Sequence, residues 1–297
     1  NGFAAIIALK CETDFVAKNA DFAEYVAEVA NQALTTEAAD IDAFMKEAWK
    51  SEPSKTVEEA LAGKIAVIGE NLKIRRFERV AIDNGCVVSY IHGAGRIGVL
   101  VAAEGASGDA VKEALTNIAM QIAAMNPQYI SRDEISADEL AKMKEITIDS
   151  ALNDPFSLPK PVLSKLIEKA VAGVWSAEDV AIYEEKKSNM NFLPNFLSKE
   201  AAAQLAEIAM ADKEKIAADK IFNGLVEGRV SKQLKEICLL DQTYVKAEDG
   251  KQSVAKYLAS VNKDLAIKKF VRFEVGEGME KKNEDFAAEV AAQMANA

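Results

Sequence analysis

Histidine is nearly missing from this sequence: His92 is its one instance in 297 residues. That excludes metal centres built on several imidazoles, and no CxxC or HExxH spacing supplies another kind. A GxSxG nucleophile elbow is also absent. Cysteine occurs three times, at Cys11, Cys86 and Cys238. Such few, widely spaced and odd-numbered thiols fit a reducing compartment better than a disulfide framework. No apolar run reaches the ~18 residues of a membrane span, and no signal-peptide pattern opens the chain, so the expected location is the cytoplasm. Basic residues are outnumbered, 36 Lys and Arg against 47 Asp and Glu, for a net charge of −11. A surface of that sign repels phosphate backbones, and no dense Lys/Arg stripe offsets it, which argues against direct nucleic-acid binding.

What is present is a chain that can fold. Its residues are 49% hydrophobic and 28% charged, enough for a sizeable core in one large or two modest domains. Carboxylate pairs such as Asp138-Glu139 and Glu184-Glu185 fall on helical faces and read as solvated charge rather than as acid/base pairs. The first residue is Asn1, and Asn1-Gly2 is a hairpin-turn signal with no strand before it. A truncated or processed chain lacking an N-terminal piece is therefore expected.

Periodicity gives the order of elements. Residues 3–9, "FAAIIAL", read as a strand, and "DFAEYVAEVANQAL" as a helix with Phe22, Tyr25, Val26, Val29 and Leu34 on one face. Helical stretches at 41–49 and 56–61 follow, then a strand in "ENLKIRRFERVAI". A second strand group holds "CVVSYIH" and "RIGVLVAAEG", then a helix over 108–125 ended by Asn126-Pro127, and later "KKFVRFEVGEG". Between them, two long stretches of helical period flank "SNMNFLPNF", where Pro194 breaks the pattern. They are expected to fold back as an antiparallel hairpin, an arm inserted into the second strand group. "ADFAEYVAEVA" and "EDFAAEVAAQM" echo each other, either as a duplicated strand–helix unit or because alanine-rich helices look alike.

Three places invite a functional reading. Residues 93–98, "GAGRIG", match GxGxxG literally. A dinucleotide site needs a helix after that loop, whereas "IGVLVAA" is strand-like, so the glycines read as hairpin positions. His92 beside them is a surface or locally bonded strand end, and Ile68-Gly69 is either an exposed apolar contact or the entry to a strand. Asp14-Phe15 leaves two readings open. Phe15 could staple onto Phe22 or Tyr25, or it could stand out as an aromatic anchor for a partner's pocket.

The stretch that contains this pair, "CETDFVAKNADF", resembles the signature of the elongation factor Ts family, the guanine-nucleotide exchange factors of elongation factor Tu. "KIAVIGENLKIRRFERV", "SYIHGAGRIGVLVAAEG", "IAMQIAAMNPQYI", "LVEGRV" and "FVRFEVGEGMEKKNEDFAAEVAAQ" resemble further segments of that family in the same order. The resemblance implies an α+β fold: two small antiparallel-sheet-plus-helix subdomains, a long inserted antiparallel, coiled-coil-like helical arm and a C-terminal helix. Mapped on this chain, it implies core subdomain N at 1–83, core subdomain C at 84–136 and 235–280, the arm at 137–234 and the C-terminal module at 281–297, with the family's N-terminal module absent.

It also implies function without covalent catalysis, cofactor or bound metal of its own. Thr13, Asp14, Phe15 and Val16 match the segment that intrudes near the magnesium site of elongation factor Tu, with Phe15 as the wedge. Ile68 and Gly69 match a further contact with the nucleotide-binding domain, and His92 a contact with another domain of the same partner. The implied partner is elongation factor Tu, GDP-bound and nucleotide-free, with no nucleic acid or membrane, as a one-to-one complex or a dimer of heterodimers. Two other classes are a helical protein-binding scaffold without exchange activity and an enzyme with an unrecognised carboxylate site.

Overall fold

The strand β1 (Gly2–Lys10) is apolar over most of its length because both of its faces are packed. In the computed structural model, which describes residues 2–278, β1 pairs antiparallel with β2 (Lys73–Ile82) from Gly2↔Ile82 to Lys10↔Lys73, with a bulge between Ala8 and Leu9. The pleat sends alternate residues to opposite sides. Ala5, Ile7 and Leu9 meet one apolar cluster, and Ala4, Ile6 and Ala8 meet another.

The first cluster is built by helices. They are α1 (Asp14–Ala17), α2 (Ala20–Leu34), α3 (Ile41–Lys46) and α4 (Val57–Ile68). Phe22, Tyr25 and Val29 of α2 face Phe44, Leu61 and Ile74 there, with Val26 at their edge, as expected from the sequence, while Ala33 rather than Leu34 is the buried residue at the end of that face. The second cluster joins β1 and β2 to a three-stranded antiparallel sheet of order β3-β4-β5, namely β3 (Gly85–His92), β4 (Ile97–Glu104) and β5 (Ala266–Glu274). Ile6, Val80 and Ile82 pack there on Leu100, Ala102, Val271 and Phe273. The Arg76 guanidinium lies 4.0 Å from the Phe273 ring centre and pairs with Glu277 at 2.7 Å. On β3 and β4 packs α5 (Asp109–Met125), whose Leu115, Ile118 and Ile122 are fully buried. These elements make up the first of two compact units, the chain up to Asn126 and from Lys256 on. Two small antiparallel sheets with helices make the fold α+β, as expected.

The second unit, Pro127–Ala255, is helical. It contains α6 (Ala137–Asn153), α7 (Lys160–Val171), α8 (Ala177–Lys186), α9 (Lys199–Ala211), α10 (Lys213–Ala217) and α11 (Lys220–Ile237). The chain leaves this unit within α12 (Val254–Val261). The two long periodic stretches are divided more finely than periodicity alone indicates, because side-chain caps interrupt them. Ser176 accepts from the Asp179 amide and Asp219 from Ile221 and Phe222, while Ser198, which accepts from Ala201, opens the second stretch just after the break at Pro194. The unit has its own core, in which Leu152, Ile167, Leu193, Leu205, Phe222 and Val226 are buried.

Asp179 staples this unit. Its carboxylate accepts from the Ser198 amide at 2.9 Å and from the Ser176 and Ser198 hydroxyls, each at 2.8 Å. The Ser198 amide, opposed by burial and helped by the two hydroxyls, holds this carboxyl below its usual range. A depressed folded-state pKa contributes stability that is complete above the unfolded value, near 3.9, and is lost as pH falls through the folded one. Asp179→Asn is expected to cost about 1–3 kcal/mol at pH 7 and less below pH ~3. Urea unfolding at the two pH values checks this, and an unchanged midpoint at pH 7 contradicts it.

The expected C-terminal module at 281–297 lies outside the described residues, as does Asn1 of the hairpin-turn signal.

Candidate functional site

Between β1 and α2 the chain makes one helical turn held at both ends. Thr13 is extended (φ −118°, ψ 154°), and its hydroxyl oxygen accepts from the Val16 amide at 3.3 Å, capping α1. Asn19 caps α2 through the Asp21 amide at 2.7 Å. Successive residues in a helical turn point about 100° apart, and α1 has the apolar cluster on one side only. Val16 packs against the first apolar cluster, and Phe15 points out, 89% exposed. Phe15 therefore does not staple onto Phe22 or Tyr25, which are buried in that cluster without it. Asp14 beside it is exposed.

The other side of this corner is the end of α4. A capping box of Thr56 and Glu59 starts that helix, and Gly69 ends it in the left-handed region (φ 78°), its amide bonded to Ile65 at 2.9 Å. The glycine is there for its φ, since a Cβ would meet nothing within 4 Å. Ile68 is half-buried on the apolar cluster; the apolar side chain presented to solvent is its neighbour Val67, 76% exposed.

Glu70 joins the two halves. One carboxylate oxygen accepts from the Glu12 amide at 3.1 Å and the Thr13 amide at 3.0 Å, and the other accepts from the Thr13 hydroxyl. The hydroxyl first, and then the Thr13 and Glu12 amides, hold the Glu70 carboxyl below its usual range. Burial, followed by the Glu70 and Asp14 charges, pushes the nearby Cys11 thiol up, the opposite of what a nucleophilic thiolate requires. Thr13, Asp14, Phe15, Val16 and Gly69 thus share one corner, and Glu70 and Val67 are the members that sequence reasoning missed. Leu61, Ile65 and Ile68 follow i, i+4, i+7 spacing toward the core, a signal that leaves Val67 outside.

His92 is carried by the other sheet, at the end of β3. Its Nδ1 lies 2.9 Å from the Tyr90 hydroxyl, and the Arg96 amide closes the turn on the His92 carbonyl at 3.1 Å. Gly93 (φ 60°) and Gly95 (φ 92°) take left-handed conformations in that turn, and β4 follows at once. The GxGxxG match is a β-hairpin, as its strand-like continuation indicates. Among the described residues no cluster of three His, Cys, Asp or Glu side chains could hold a metal ion, and no helix is long and apolar enough to cross a membrane.

The family model for elongation factor Ts matches residues 12–184 and 178–277. Elongation factor Ts of Clostridioides difficile is 38% identical over 297 residues, covering 99% of this chain and 77% of that protein. The elongation factor Ts of Clostridium kluyveri is 37% identical over 296 residues, covering 98% and 76%, and that of Clostridium perfringens is 36% identical over 293 residues, covering 97% and 75%. The chain belongs to the elongation factor Ts family. Membership places it among the elongation factors of translation. The residues matched to the elongation factor Ts model include the α1 turn, the α4 end with Glu70 and the hairpin with His92.

Proposed function

We propose that this chain binds elongation factor Tu in the cytoplasm and accelerates release of GDP and its exchange for GTP. The observation that carries this reading is Phe15, 89% exposed on a turn that Thr13 caps, that runs directly into the Asn19 cap of α2 and whose start is bonded to Glu70. An exposed aromatic on a held scaffold is suited to fill an apolar cleft of a partner at low cost in lost side-chain freedom. Phe15 enters such a cleft beside the magnesium site, and Asp14 brings a carboxylate there that competes for the polar and cationic groups lining it. Displacing the largest local cation weakens retention of the nucleotide. Ile68 and Gly69, with Val67, extend the contact at the same corner, and His92 adds one from the second sheet.

No bond is made or broken in this function. In this reading the factor binds nucleotide-free elongation factor Tu more tightly than the GDP complex, so that bound factor weakens GDP, and a site without a nucleophile or an acid/base pair is consistent with it. Release of a fluorescent GDP analogue from elongation factor Tu, chased with unlabelled GDP, tests the reading. Bound chain is expected to weaken GDP about a hundredfold and, because affinity differences fall mostly on dissociation, to accelerate release by a similar factor. Binding without acceleration would favour the scaffold reading, and turnover of nucleotide by this chain alone would favour an enzyme.

A further inference from the structure

We infer that Glu70 is a positioning residue for exchange: it locks the turn that presents Asp14 and Phe15. This role rests on the functional reading above. Four residues are too few for α1 to hold itself, because the first helical turn is the costly one to form. Its orientation must come from outside the helix: Val16 packs on the apolar cluster, and Glu70 fixes the start of the turn across 57 residues of sequence. The Glu70 carboxylate takes the amide hydrogens of Glu12 and Thr13 on one oxygen and the Thr13 hydroxyl on the other.

The third bond sets a direction. A hydroxyl has one hydrogen and two lone pairs. With its hydrogen committed to Glu70, the Thr13 oxygen turns a lone pair to the Val16 amide, 3.3 Å away, and caps α1. Glu70 itself follows directly on Gly69, whose left-handed conformation turns the chain out of α4. The relay therefore runs from the α4 end through Glu70 and Thr13 to the base of Phe15.

Glu70 touches the turn rather than the wedge, so its loss is expected to reduce the fraction of molecules poised to bind while leaving bound complexes competent. Apparent affinity falls in proportion to that fraction. Glu70→Ala in the whole chain is expected to raise the concentration for half-maximal GDP release about tenfold with an unchanged plateau rate. The Glu12, Thr13 and Val16 amides are expected to exchange hydrogen about tenfold faster while the unfolding midpoint stays in place. Glu70→Gln, which keeps an oxygen for the two amides, is expected to recover much of both effects. Thr13→Ala combined with Glu70→Ala is expected to add little to either change alone, because the two side chains act through one relay.

A lowered plateau at unchanged half-saturation would overturn the inference in favour of direct contact with the partner, and independent, additive effects of the two substitutions would overturn the relay. Amide exchange decides the lock even if the unmodified chain proved inert in nucleotide release. In that case the functional reading fails, while loss of protection in Glu70→Ala upholds the lock and unchanged protection overturns it.

Discussion

Phe15→Ala is expected to lower stimulation of GDP release about thirtyfold or more, the effect of losing an interfacial anchor worth about 2 kcal/mol. The same substitution is expected to leave stability within about 0.5 kcal/mol, as for other surface changes away from caps and cores. The two halves belong together. At 89% exposure the ring has almost no packing to lose within its own chain, and the neighbouring Val16 supplies the contact of α1 with the apolar cluster. The turn is fixed by Thr13, Asn19 and Glu70, none of which the substitution alters. Release kinetics and thermal unfolding on one preparation check both. A loss of activity matched by a loss of stability would mean that the ring packs on its own chain, and full activity would move the wedge elsewhere on the molecule.

Phe222→Ala is expected to destabilise the helical unit by about 3–5 kcal/mol, the usual cost of emptying an aromatic site in a core. Phe222 is 0% exposed and belongs to the same cluster as Trp175, which is 6% exposed. Its amide accepts no help from the ring: Asp219 caps α11 through the Ile221 and Phe222 backbone, so the substitution removes packing and spares the cap. The chain has two tryptophans, and Trp49 lies in the other unit's core. Replacing Trp49 with Phe leaves Trp175 as the reporter of the helical unit in urea unfolding. An unmoved Trp175 transition would contradict the assignment of that core.

Much of the fold was legible because it follows from pattern. The apolar run of β1, the face of α2 and the strand after GxGxxG each reflect a local period, and the structure retains them. The helical insertion was less so, although its signals were present. Ser176 and Asp219 are cap residues standing inside long periodic stretches, and apolar spacing carried the reading across them. At the site, the orientation of Phe15 was open because residue spacing does not set the rotation of a single turn; contacts do. Val16 fills the apolar cluster and thereby turns Phe15 outward. Glu70 was out of reach for a different reason. Its bonds to residues 12 and 13 depend on β1 and β2 pairing antiparallel, which brings Lys10 opposite Lys73 and the two loop ends together.

The proposed function makes one thermodynamic demand, reciprocity. If this chain binds nucleotide-free elongation factor Tu more tightly than the GDP complex by some factor, bound chain must weaken GDP by the same factor. Isothermal titration of the chain into elongation factor Tu, nucleotide-free and saturated with GDP, measures it most directly. The expected result is at least about a hundredfold preference for the nucleotide-free form, reduced by Phe15→Ala. Equal affinity for the two forms would contradict the wedge account, in which bound chain weakens GDP, however tightly the chain bound, because a ligand that does not distinguish two states cannot shift them.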